Sequence, residues 1–222
     1  MDMRFAVVAA PIALLSSLLI AGQTVPGPTG AETQADSRRW DWQRQEELSG
    51  RQSISRRSNL APSERKRLVA AIMKQLRNAA SDQGVTSEEQ LAQVAAETRI
   101  KYADLNGDGT PEVVAQAGGE GSGCSPTGNC PFWILHRRGH SYKILLEGEA
   151  QTFTIQHIRT NGYNDVVLSR HGSAFESEAR TYRFDGAFYH ESACNEVQWS
   201  SIDVEDKEHR LTKPRFAPCG SE

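Results

Sequence analysis

Asp104, Asn106 and Asp108 set three oxygen-bearing side chains two residues apart within the stretch 104–112. A tight loop can turn all three toward one centre, and a hard cation that takes six to eight oxygens suits such a set. Gly109, sixth in the loop, supplies the freedom of φ that a sharp turn around an ion demands. Thr110 would offer its backbone carbonyl, and Glu112 would reach the ion directly or through a water. Asp, Asn and Gly also build ordinary turns without a metal. The acidic spacing favours an ion, because unneutralised Asp104, Asp108 and Glu112 would repel one another.

Ala115 stands where the helix-loop-helix form of a calcium loop places its closing bidentate Glu. The flanks depart from that form as well. Arg99 to Ala103 and Val113 to Ala117 are short, carry Ile, Tyr and paired Val, and read as strands around a hairpin tip. Over about a dozen residues the stretch resembles the calcium-binding hairpins of FG-GAP and VCBS repeats, and more loosely over 98–192. The resemblance implies one structural Ca2+ held by Asp104, Asn106, Asp108, Thr110 and Glu112, blade-like β units and a role in adhesion or binding. Without the closing Glu, the affinity expected is weak, on the order of 10⁻⁴ to 10⁻³ M.

The elements that must position this loop follow from the rest of the 222 residues. Arg4 precedes an apolar run from Phe5 to Ala21 that is interrupted by Pro11. The run falls short of the roughly 20 residues of a membrane span, so residues 1–22 are expected to be an export signal cut near Ala21 or Gly22, leaving no stable span. Residues 23–60, rich in Pro, Gly, Ser, Gln and Arg, read as a flexible linker, with room for a short helix from Asp36 to Leu48. Residues 61–97 read as a helical hairpin. Leu68, Ile72, Leu76 and Ala79 share one helical face, and Ser87 with Gln90, or Thr86 with Glu89, opens a second helix.

From 98 to 222 the chain reads as β structure that states one pattern twice, from Thr98 to Glu147 and from about Thr152 to Ser192, with a C-terminal tail. Each unit is expected as a four-stranded antiparallel meander, giving an α+β fold with the helical hairpin laid on a sheet. Asp185 and Gly186 predict a two-residue hairpin turn. In the second unit Asn161, Asn164 and Asp165 remain but the acidic spacing is gone, so a single metal site is expected.

Cys124, Cys130, Cys194 and Cys219 are even in number, as befits a secreted or periplasmic chain. Three pairings are open; the short loop between Cys124 and Cys130 favours that bridge and leaves Cys194 with Cys219. A net charge of −3 carries no basic field of the kind nucleic acid demands. No Ser has Gly two residues away on both sides; of the six His, His136 and His140 flank a hairpin turn, His157 and His190 fall at strand positions, and the stretch from His171 to Ser173, with Glu176 and Glu178 nearby, is polar enough to line a groove. Function is therefore expected to be binding, of a protein, a glycan or a cell-wall ligand, by a module that an open sheet edge would let pair with a second copy. The alternative is a small envelope hydrolase or hydrolase inhibitor with the Cys124 to Cys130 loop as its protruding element.

Overall fold

The computed structural model describes residues 41–80, 87–118, 121–173, 176–202 and 207–220. The expected export signal and the first part of the linker, through residue 40, lie outside the described residues. The protein is α+β; the described residues form two α-helices and two antiparallel sheets of four and five strands. Helix α1, Pro62–Ala80, buries Leu68, Ile72 and Leu76, with Val69 and Met73 widening the stripe. Pro62 opens it in the first turn, where backbone N–H groups have no intrahelical acceptor to lose. Helix α2, Glu88–Glu97, starts at a capping box: the Ser87 hydroxyl accepts from Gln90 N at 3.2 Å and the Gln90 side chain accepts from Ser87 N at 3.0 Å. Leu91, Val94 and Ala95 turn the α2 face inward beside α1.

The first sheet runs in the order β1, Arg99–Ala103, β2, Glu112–Gln116, β3, Cys130–Arg138, and β4, Ser141–Ala150. Ile100, Val113, Ala115, Trp133 and Leu135 face the helices, whereas Val114, Phe132, Ile134 and Leu146 face the second sheet. This sheet is a middle layer, and every residue of β2 is buried. Burial on both faces explains why Val113 and Val114 do not alternate with polar neighbours. The second sheet runs β5, Thr152–Thr160, β6, Tyr163–His171, β7, Glu176–Phe184, β8, Tyr189–Ile202, and β9, Glu208–Pro218. Phe153, Val166, Leu168, Phe184 and Tyr189 complete the core between the sheets.

Three expectations change. The second sheet has five strands, not four, because β8 continues past Ser192 and the expected tail supplies β9. The stretch 41–60 is packed, not free: Leu48 enters the core between the sheets, and Ile54 and Leu60 enter the helix-side core. Its only helix is a 3-10 turn at Trp42–Arg44, after which Glu46 and Phe153 exchange backbone bonds of 2.7 and 2.9 Å. The third change is the β7–β8 turn, which spans four residues, with Phe184 paired to Tyr189. The Asp185 carboxylate takes the amides of Ala187 and Phe188, both at 2.7 Å, and closes a wider loop than a two-residue turn.

Those amides, Phe188 first and then Ala187, together with His190, hold the exposed Asp185 carboxyl down at about 2. A folded pKa below the ordinary carboxyl value of 3.8 means that its stabilisation is complete above that pH and is lost as pH falls toward 2. In acid melts Asp185→Asn should therefore lose less melting temperature across this window than the parent; equal losses would remove Asp185 from the acid response.

Both favoured disulfides are formed, Cys124 to Cys130 and Cys194 to Cys219, and no described cysteine is free. They are consistent with an extracytoplasmic location. Among the described residues no helix is long and apolar enough to cross a membrane.

Candidate functional site

The loop that joins β1 to β2 is closed by the pair Ala103 and Glu112. Its side chains fold back onto its own backbone. Asp104 accepts from Gly107 N at 2.7 Å and from Gly109 N at 3.0 Å, one amide to each carboxylate oxygen. Asn106 Oδ1 accepts from Asp108 N at 2.9 Å, and Asp108 Oδ1 accepts from Thr110 N at 2.6 Å. The Asn106 amide donates across the loop to Asp108 Oδ2 at 2.8 Å. Gly107 and Gly109, at φ 77° and 82°, make the two left-handed steps that this winding needs. The Thr110 amide, with the Asn106 amide behind it, holds the Asp108 carboxyl below its ordinary range, and His136 adds a smaller attraction.

Three neighbours absent from the local motif fix the loop in place. Leu105 plants its side chain in the core between the sheets while its carbonyl accepts from Asn164 N on β6 at 2.8 Å. Arg159 donates to the Asn106 carbonyl at 3.3 Å, and its guanidinium lies so close over Gly107 that a Cβ there would stand 2.8 Å from Nη1. Tyr163, bonded to the Asn106 amide at 3.1 Å, stacks on Phe184 with ring centroids 4.2 Å apart, and burial raises its hydroxyl pKa. No local signal in the sequence marks these three; they come from β5, β6 and the fold that stacks them behind the loop.

Asp104, Asn106 and Asp108 are thus brought together, and Thr110 joins them through its backbone with its side chain exposed. Glu112 is not gathered with them. Fully buried, it accepts from Leu105 N at 2.9 Å and meets His136 Nδ1 at 2.9 Å, behind the loop. Among the described residues no three His, Cys, Asp or Glu side chains stand together as a metal-holding group. The oxygens of Asp104 and Asp108 retain acceptor capacity beyond the bonds they make, so this pair with Asn106 and the Thr110 carbonyl suits a hard cation by donor type.

No protein-family model, curated protein or solved structure matches this chain.

The remains of the second loop take other roles. Asn161 and Gly162 form the two-residue turn between β5 and β6, while Asn164 and Asp165 are buried in β6. In the cysteine loop the Ser122 hydroxyl meets Cys124 Sγ at 3.0 Å. Asn129 pins this loop to the end of β6, donating to the His171 carbonyl at 2.9 Å and accepting from His171 N at 2.7 Å. On the far side, Arg51, Arg56 and Arg99 with Glu97 line a groove of about 560 Å³.

Proposed function

We propose that this protein is an exported, non-catalytic binding module, secreted or periplasmic, in which the 104–112 loop takes one structural calcium ion. The observation that supports it is the winding of Asp104, Asn106 and Asp108 around a shared set of loop amides, which orders three oxygen donors before any ion arrives. Asp104, Asn106, Asp108 and the Thr110 carbonyl would hold the ion, and Glu112 backs the loop from the core. The two sheets then count as two blade-like meanders of the FG-GAP and VCBS kind, the second lengthened by β9. A protein, a glycan or a cell-wall component is the partner class, and sheet edges give a route to a homodimer.

The ion's part is to stiffen the hairpin. At tenfold over its dissociation constant it adds about 1.4 kcal/mol to stability. In a thermal melt of the disulfide-intact mature protein, calcium should raise the transition above its value in chelator, and magnesium should not. Asp104→Ala and Asp108→Ala should each lose the rise. If calcium leaves the parent unmoved, or moves parent and variants alike, the loop is only a turn.

A further inference from the structure

The face of the second sheet turned away from the first carries a small apolar cluster, Val167, Ala179 and Val197, with Trp199 and Phe216 partly buried against it. Where this face meets residues 45–47 and the β4–β5 junction, a groove of about 350 Å³ opens, with Trp199 in its wall. That volume lies at the small end of the range for ligand sites. Ser169 and Ser200, 6% and 8% exposed, line it together with Arg170. Ser169 Oγ, Arg170 Nε and Ser200 Oγ are buried and have no hydrogen-bond partner among the described residues. Buried polar atoms are nearly always satisfied. Three of them around one groove mark a wall whose polar atoms find no partner among the described residues.

The charges narrow the ligand. The lining holds Arg170 and Arg210 against Glu47 and Glu208, and Arg170 is itself paired with Glu149 at 3.0 Å and Glu178 at 4.0 Å, so no excess of positive charge selects an anion. Besides Trp199 the lining presents hydroxyls, amides and an imidazole, from Ser169, Ser177, Gln45, Gln151 and His171, which both donate and accept. A ligand that is uncharged, rich in hydroxyls and apolar on one ring face uses all of these groups, stacking that face on the indole. A peptide would instead be held by main-chain pairing along a strand edge or by apolar side-chain pockets. We infer that this groove binds a short neutral oligosaccharide. The inference names the partner of the binding module proposed above and rests on that reading, but not on the ion. The groove lies at the Thr152 and Ser169 end of the β5–β6 pair, and the calcium loop touches the opposite end, at Arg159 and Tyr163.

The test titrates the mature, disulfide-intact chain with maltotriose, cellotriose and chitotriose, followed by tryptophan fluorescence and saturation-transfer NMR, with triglycine as the peptide control. At least one trisaccharide should saturate while triglycine does not. Trp199→Ala should weaken binding by about tenfold, the loss typical of removing an aromatic anchor. Arg210→Ala, at an exposed rim position, should weaken it by a smaller factor and guards against a folding defect in the first variant. Silence from all three sugars, binding of triglycine instead, or unchanged affinity in both variants overturns the proposal. Sugar binding without a calcium effect on the parent melt would sink the metal reading alone; a calcium effect without sugar binding would sink the groove alone.

Discussion

Glu112→Ala is expected to destabilise the protein by about 3 kcal/mol, although the residue sits at the edge of an exposed loop. Its carboxylate is fully buried and holds the Leu105 amide at 2.9 Å and His136 at 2.9 Å. Alanine leaves that amide without its acceptor in a dry site and opens a cavity between β2 and β3. His136, partly exposed, can turn to water, which keeps the loss below that of a fully enclosed ion pair. Glu112→Gln preserves shape and the acceptor for Leu105 N, and should cost less than half as much. Urea unfolding checks both: the midpoint should fall in the order parent, Gln, Ala, with an unchanged slope. If Ala matches Gln, the Leu105 amide is not what Glu112 holds. Because Leu105 anchors the loop in the core, the Ala variant should also weaken any calcium effect, without Glu112 touching the ion.

Removing the Cys194 to Cys219 bridge, as the double Ser variant, should cost about 3.5 kcal/mol by chain entropy for a loop of 25 residues. The corresponding cost for the bridge from Cys124 to Cys130, six residues apart, is about 2 kcal/mol. The longer bridge ties β9 to the sheet where the strands meet, next to the pair Asn195 and Pro218, and Cys219 N bonds to the Cys194 carbonyl at 3.2 Å. As β9 pairs only with β8 among the described residues, its amides should lose hydrogen-exchange protection before those of β6 and β7 in that variant. A larger drop in melting temperature from the shorter bridge would overturn this entropic account.

What could be read from the sequence was local and periodic. Leu68, Ile72 and Leu76 recur at helical spacing, Ser87 and Gln90 make a capping box, and the short Cys124 to Cys130 span implied its own bridge. The winding of Asp104, Asn106 and Asp108 was legible for the same reason, since side chains two residues apart bond to the amides between and after them. Leu48, Ile54 and Leu60 escaped because each enters the core alone, with Ser, Gln and Arg between them, and no period announces a segment that docks on surfaces made elsewhere. Strand β9 was hidden by the polar and Pro residues of a strand whose side chains are mostly not buried. The inward turn of Glu112 follows from the burial of β2 on both faces, which depends on a second sheet that the motif cannot report.

The segment between Glu46 and Ser53 touches one of the two outer strands of each sheet: Glu46 bridges Phe153 on β5, and Ser53 bridges Arg99 on β1. Residue 46 must wait for residue 153, so this clasp is among the last contacts to close as the chain folds. Until it closes, β1 and β5 present bare N–H and C=O groups to any other copy nearby. Deletion of this stretch should therefore show first as concentration-dependent aggregation during refolding.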